Sequence, residues 1–171
     1  MASWFASRST RAIVAMAIIA SCVGCDQASK RIATNSLRGV EPQSYLGETL
    51  RLEYSLNPGG FLSLGSQMSP SARFWVFVIF NTAMLAGVIW LLVRRWNSRP
   101  LLFLAIVLFL AGGIGNLIDR VVQEGLVTDF MVLSLGPLHT GVFNVADVAI
   151  TTGGILFALV YRSEFDTPAA A

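Results

Sequence analysis

Gly112-Gly113-Ile114-Gly115-Asn116-Leu117-Ile118-Asp119-Arg120, Val127-Thr128-Asp129-Phe130 and Phe143-Asn144-Val145-Ala146-Asp147 follow one another at or near the ends of two long apolar runs. These three segments hold three carboxylates, two carboxamides and one guanidinium. A charge at the centre of a membrane helix costs roughly 2.5–3.5 kcal/mol on insertion scales, so it usually has a partner or a task. The stretch therefore reads as an active site facing one surface of a membrane.

The rest of the composition agrees. The chain is 54% hydrophobic and 13% charged, against about 25% charged in soluble domains, and its mean hydropathy is +0.65. Four apolar blocks supply the excess, and the expected fold is a mainly α membrane protein. It would be a four-helix transmembrane bundle with a small extracytoplasmic β-sheet, forming one integral domain over residues 1–171. The expected spans are 12–32, 74–93, 101–118 and 142–161, with loops at 33–73 and 119–141. A formal charge of +2 is too small to argue for nucleic acid.

Within the first block, Val23-Gly24-Cys25 resembles the end of a lipoprotein signal. Yet Asp26 precedes Lys30 by one turn, the favourable order for an ion pair on a helix, so a retained span is expected. Cys22 and Cys25 have the spacing of a redox pair, but two small residues closing a helix explain them as well. In the first loop Glu48 to Leu56 alternates apolar with polar, the period of a half-buried strand. Asn57-Pro58-Gly59-Gly60 then marks a turn, and Phe61 to Leu64 is a candidate returning strand. Gly112, Asn116 and Asp119 share one face of the third helix. Asn144, Asp147, Thr151 and Gly154 form a stripe on the fourth.

Arg8, Arg11, Arg94, Arg95, Arg99 and Arg162 fall in three segments that four spans place on one side. By the positive-inside rule that side is the cytoplasm. Both termini are then cytoplasmic, and Asp26, Asp119, Asp129 and Asp147 gather near the outer face. Asp147 is expected roughly 7 Å below the outer end of the fourth span, five residues in at 1.5 Å each. Asp129 lies in the preceding loop and can fold over it. Two carboxylates brought close share a proton. That state suits peptide hydrolysis, one member taking a proton from water and the other donating one. Asn116 and Asn144 can hydrogen-bond a carboxylate, while Asp119 with Arg120 reads as a helix-end ion pair. His139 is expected to be an ordinary surface residue.

Five motifs in order, Asp26-Gln27-Ala28-Ser29-Lys30, Asn57-Pro58-Gly59 and the three quoted first, resemble those of bacterial lipoprotein signal peptidase (signal peptidase II). The likeness runs from about residue 12 to 162. It implies an inner-membrane aspartic endopeptidase that cuts signal peptides just before the lipid-modified cysteine of diacylglyceryl prolipoproteins. It implies Asp129 and Asp147 as the catalytic pair. Asp26, Lys30, Asn57, Gly59, Asn116, Asp119, Arg120 and Asn144 would support the site or contact substrate and the cyclic peptide inhibitor globomycin. Membrane lipids are the other expected partner of a monomeric chain, and no metal or organic cofactor is implied. One departure is Asn57-Pro58-Gly59-Gly60-Phe61-Leu62, where the family usually has Asn-Thr-Gly-Ala-Ala-Phe; Pro58 removes a backbone donor there. The competing readings are a proton-coupled transporter, a thiol–disulfide enzyme using Cys22 and Cys25, and a lipoprotein processed at Cys25. Against the first, the carboxylates cluster at one end and no inverted repeat is visible.

Overall fold

A computed structural model describes residues 7–59 and 68–165, with side chains to residue 160. Four helices carry the fold: α1 (Arg8–Leu37), α2 (Pro70–Arg94), α3 (Pro100–Val122) and α4 (Val145–Phe165). Four strands join them: β1 (Gln43–Tyr45), β2 (Leu50–Asn57), β3 (Val127–Leu135) and β4 (Leu138–His139). The first three helices are long and apolar enough to cross a membrane, and α4 has an apolar stretch over Val145–Val160. The helices are longer than the apolar runs because local chemistry extends them. Ser7 and Ser69 accept from the Thr10 and Ala72 amides as N-caps, and Pro70 and Pro100 occupy first turns, where a missing N–H costs nothing.

α3 is the centre of the bundle. Of its apolar stretch 61% is buried, against 11% in α1 and 17% in α2, which leaves the other two mostly uncovered by the described residues. Leu102, Phe103, Ile106, Val107 and Leu110 of α3 form the core with Ala15 of α1 and Leu85 and Leu92 of α2. α4 lies close against α3 because glycines remove the side chains between them. A methyl group on Gly112 would strike the Ala146 carbonyl, and one on Gly153 would lie 2.7 Å from the Ala105 oxygen. Small residues are the usual means of close helix approach in lipid. The stripe expected on α4 holds at Asn144 and Asp147 but not in its second half: Gly153 makes the contact there, whereas Gly154 faces open space and Thr151 is exposed.

The sheet is antiparallel in the order β1-β2-β3-β4. The alternating segment is β2, with bounds Leu50–Asn57. Its partner is β3, from the stretch read as a loop, paired as Leu52↔Met131 and Asn57↔Val127. The candidate returning strand at Phe61 to Leu64 lies outside the described residues. Cys22 and Cys25 are free thiols on α1, which runs unbroken through them. His139 is exposed.

Candidate active site

Asn144 begins α4. Its side-chain oxygen accepts from the Asp147 amide at 2.9 Å, and the Asp147 carboxylate accepts from the Asn144 amide at 3.1 Å. This reciprocal arrangement is a capping box. It starts the helix at Val145, so Asp147 stands in the first turn rather than deeper in the span. The same Asn144 reaches the second carboxylate. Its side-chain amide donates to Asp129 Oδ1 at 2.6 Å and, more weakly, to the Thr128 carbonyl at 3.3 Å. One fully buried residue therefore holds both aspartates.

Asp129 lies on β3, paired across from Ser55. Next to it, the amides of Phe130 and Met131 both donate to the Phe143 carbonyl. Two residues opposing one is a bulge, a feature that re-aims neighbouring side chains. Asn57, at the end of β2, donates to Asp129 Oδ2 at 3.0 Å, and its own side-chain oxygen accepts from the Gly59 amide. That second bond closes a turn around Pro58, whose missing N–H is not needed there. Burial and the Asp147 charge push the Asp129 carboxyl up to about 6, opposed by the amides of Asn57 and Asn144 and by the Lys30 charge.

Beneath the pair lies a buried ionic layer. Lys30 sits 2.8 Å from Asp26, 3.1 Å from Asp119 and 3.0 Å from Asn116 Oδ1. An ammonium only donates, so Asn116 turns its oxygen to Lys30 and its NH₂ to Asp147 Oδ1, at 2.9 Å. Asp26 also accepts from the Ala146 amide at 2.8 Å, in the first turn of α4. Asp119 accepts from the Thr128 amide at 3.0 Å and from Gln27 at 2.9 Å. The layer thus ties α1, α3, β3 and α4 together.

The expected Asp26–Lys30 pair is present. Asp119, by contrast, pairs with Lys30 instead of Arg120. Neighbours in sequence do not face each other on a helix. Arg120 bonds the carbonyls of Asn116 and Gly59, each at 3.3 Å, and lies over the Phe77 ring. Gln27, Thr128 and Gly115 were not among the expected site residues. The first two bond Asp119, and a methyl on Gly115 would lie 2.7 Å from Asp26 Oδ2. No sequence spacing signals the roles of Gln27 and Thr128, which depend on packing between elements.

Charge completes the description. Among the described residues, Asp26, Asp119, Asp129 and Asp147 face Lys30 and Arg120 as the cations of this cluster. A proton shared by Asp129 and Asp147 would leave one excess negative charge. A carboxyl pair in that state can accept one proton and donate another in the same step.

The chain matches a family model described as signal peptidase (SPase) II over residues 18–162. It is 33% identical to a lipoprotein signal peptidase of Desulforapulum autotrophicum, over 92% of this chain and 96% of that protein. A lipoprotein signal peptidase of Leifsonia xyli subsp. xyli is 36% identical, over 89% of this chain and 68% of its own length. A solved bacterial membrane enzyme shares the fold with a TM-score of 0.76 at 23% identity, over 92% of this chain and 94% of that one.

Proposed function

The chain belongs to the signal peptidase II family and is a peptidase embedded in the membrane, and from that premise we propose that Asp129 and Asp147 are its catalytic pair. The observation that carries the proposal is the shared hold of Asn144 on both carboxylates. In the proposed step Asp147, which accepts from a backbone amide and from Asn116, is the ionised member. It takes a proton from a water whose oxygen attacks the scissile carbonyl, while Asp129 gives its proton to the carbonyl oxygen. The tetrahedral intermediate then collapses: Asp147 passes its proton to the leaving amine, the C–N bond breaks, and Asp129 recovers a proton from the hydroxyl.

The substrates are diacylglyceryl-modified prolipoproteins, cut before the lipid-bearing cysteine. Such a bond lies at the membrane surface, because the acyl chains and the apolar signal helix both sit in lipid. A pair placed in the first turn of α4 and on an adjoining strand meets it there. The arginines at 8, 11, 94, 95, 99 and 162 support cytoplasmic termini. The site then faces outward from the bacterial inner membrane, and the chain works as a monomer open to globomycin.

The test is incubation of the purified protein with one lipidated precursor, with and without globomycin. Cleavage that globomycin blocks, lost in both Asp129→Asn and Asp147→Asn although each variant inserts and folds, is the expected result. Processing retained by either variant removes that residue from the pair.

A further inference from the structure

Asn81 and Thr82 alone interrupt the apolar stretch Phe74–Val93 of α2. Thr82 is exposed, and its hydroxyl can bond a carbonyl of its own helix. Asn81 is different. It is 7% exposed, and among the described residues its fully shielded side-chain oxygen has no hydrogen-bond partner. In a hydrocarbon layer no water makes up that loss, and a hydrogen bond left unmade there is expensive. A carboxamide kept under these conditions needs a partner or a task.

Its place in the bundle narrows the task. Phe77, Asn81 and Leu85 step by four and share the face of α2 that meets α3. A methyl group on Gly113 would strike Leu85, and Arg120 lies over the Phe77 ring, 5.5 Å from its centroid. Asn81, midway between those contacts, falls level with Asn116 and Leu117 of α3. Asn116 is the residue that donates to Asp147. Around α3, Gly112 faces α4 while its neighbour Gly113 faces α2, a turn of about 100°. The carboxamide of α2 and the first turn of α4 thus flank α3 from two sides at the depth of the proposed catalytic pair.

Arg120 supplies a second observation. Its Nε is also shielded and has no hydrogen-bond partner among the described residues, although other nitrogens of the guanidinium bond the Asn116 and Gly59 carbonyls. The seam between α2 and α3 therefore holds an unmet acceptor and an unmet donor. An intact helix has no use for them, since its backbone groups pair internally. Residues around a peptide bond under attack have left the helix, and their N–H and C=O groups then need partners from the protein.

We infer that the Asn81 side-chain oxygen accepts a backbone N–H from the unwound part of the signal peptide just ahead of the cleaved bond, an inference that rests on the peptidase reading above. Asn81 is then a substrate-binding residue supplied by α2. Because it reads a backbone group, it serves precursors of differing sequence alike.

The test uses the purified full chain in lipid–detergent micelles, one lipidated precursor, and Asn81→Leu, which keeps the shape and removes the carboxamide. Thermal unfolding of the precursor-free variant should be unchanged or raised, because an unmet polar group is gone. KM should rise roughly tenfold, the size of one hydrogen bond, with little change in kcat. Precursors carrying an ester in place of one backbone amide at a time, just ahead of the cleaved bond, identify the donor. One such ester should raise KM roughly tenfold on the wild type and leave that of Asn81→Leu unchanged. A lowered melting temperature overturns the inference, since the carboxamide would then be bonded inside the protein. So does an unchanged KM, or an ester penalty equal on both proteins at every position. These three results leave the peptidase reading standing. A wild type that cuts no precursor, or an Asp129→Asn variant that still does, counts against that reading and takes the inference with it.

Discussion

Lys30 and Asp147 are joined through one carboxamide: Asn116 accepts from the Lys30 ammonium at 3.0 Å and donates to Asp147 at 2.9 Å. The cation of α1 therefore dictates which end of the Asn116 amide meets the proposed base. Asn116→Ala should lower kcat roughly ten- to a hundredfold with little change in KM, because a hydrogen bond to a charged group is worth about 1.5–3 kcal/mol. Steady-state cleavage of a lipidated precursor checks this.

Lys30→Met should act on the fold as well as on the rate. Lys30 and Asp26 are 4% and 1% exposed, so removing the ammonium leaves Asp26 and Asp119 facing each other unneutralised. Breaking a buried pair from one side typically costs about 3–5 kcal/mol. Thermal unfolding in detergent should show a large destabilisation, whereas Asn116→Ala should show a small one.

The pair should impose two pH effects. Asp129 holds its proton up to about 6 in the folded protein, so kcat/KM should fall as pH rises through that value and the shared proton is lost. Stability carries the same sign. An unfolded aspartate ionises near 3.9, so between roughly pH 4 and 6 the folded chain binds more protons than the unfolded one. Acidification from pH 7 to 4 should therefore stabilise the wild type relative to Asp129→Asn, by on the order of 2–3 kcal/mol. Denaturant melts of both proteins at the two pH values measure it; an unchanged difference would be the contrary result.

Asn144 combines a structural and a chemical role that substitution can separate. Asn144→Ala should lose both the cap, worth about 1 kcal/mol, and the hold on Asp129. Asn144→Ser keeps a capping oxygen but cannot reach Asp129, so it should recover most of the stability and little of the activity. Helix content on heating, set beside the cleavage rate, distinguishes the two losses.

Two adjacent glycines of α4 should behave oppositely. A methyl on Gly153 meets the Ala105 oxygen at 2.7 Å and the Phe109 amide at 2.8 Å, whereas one on Gly154 meets nothing within 4 Å. Gly153→Ala should cost about 1–3 kcal/mol through overpacking. Gly154→Ala should be neutral or slightly stabilising, since alanine is the better helix former.

The parts of this site that were legible in sequence are those where charge interrupts apolar runs. Asp129, Asp147, Asn116 and Asn144 stood out for that reason, and Asp26 with Lys30 through helical spacing. Strand β3 was hidden because Phe130-Met131-Val132-Leu133 does not alternate, and its partner β2 lies far away in the chain. The partner of Asp119 was hidden because the cation beside it in sequence is not the one beside it in space. The beginning of α4 could have been read more closely, since Asn144-x-x-Asp147 is itself a capping pattern.

That pattern has a practical result. Asp147 serves as the peg on which its own helix starts, so replacing it perturbs the first turn of a span that still folds, along with the chemistry. Asp129 projects from a strand that is held independently through pairing with β2. For capturing an uncut precursor on an otherwise native enzyme, Asp129→Asn is the variant to crystallise.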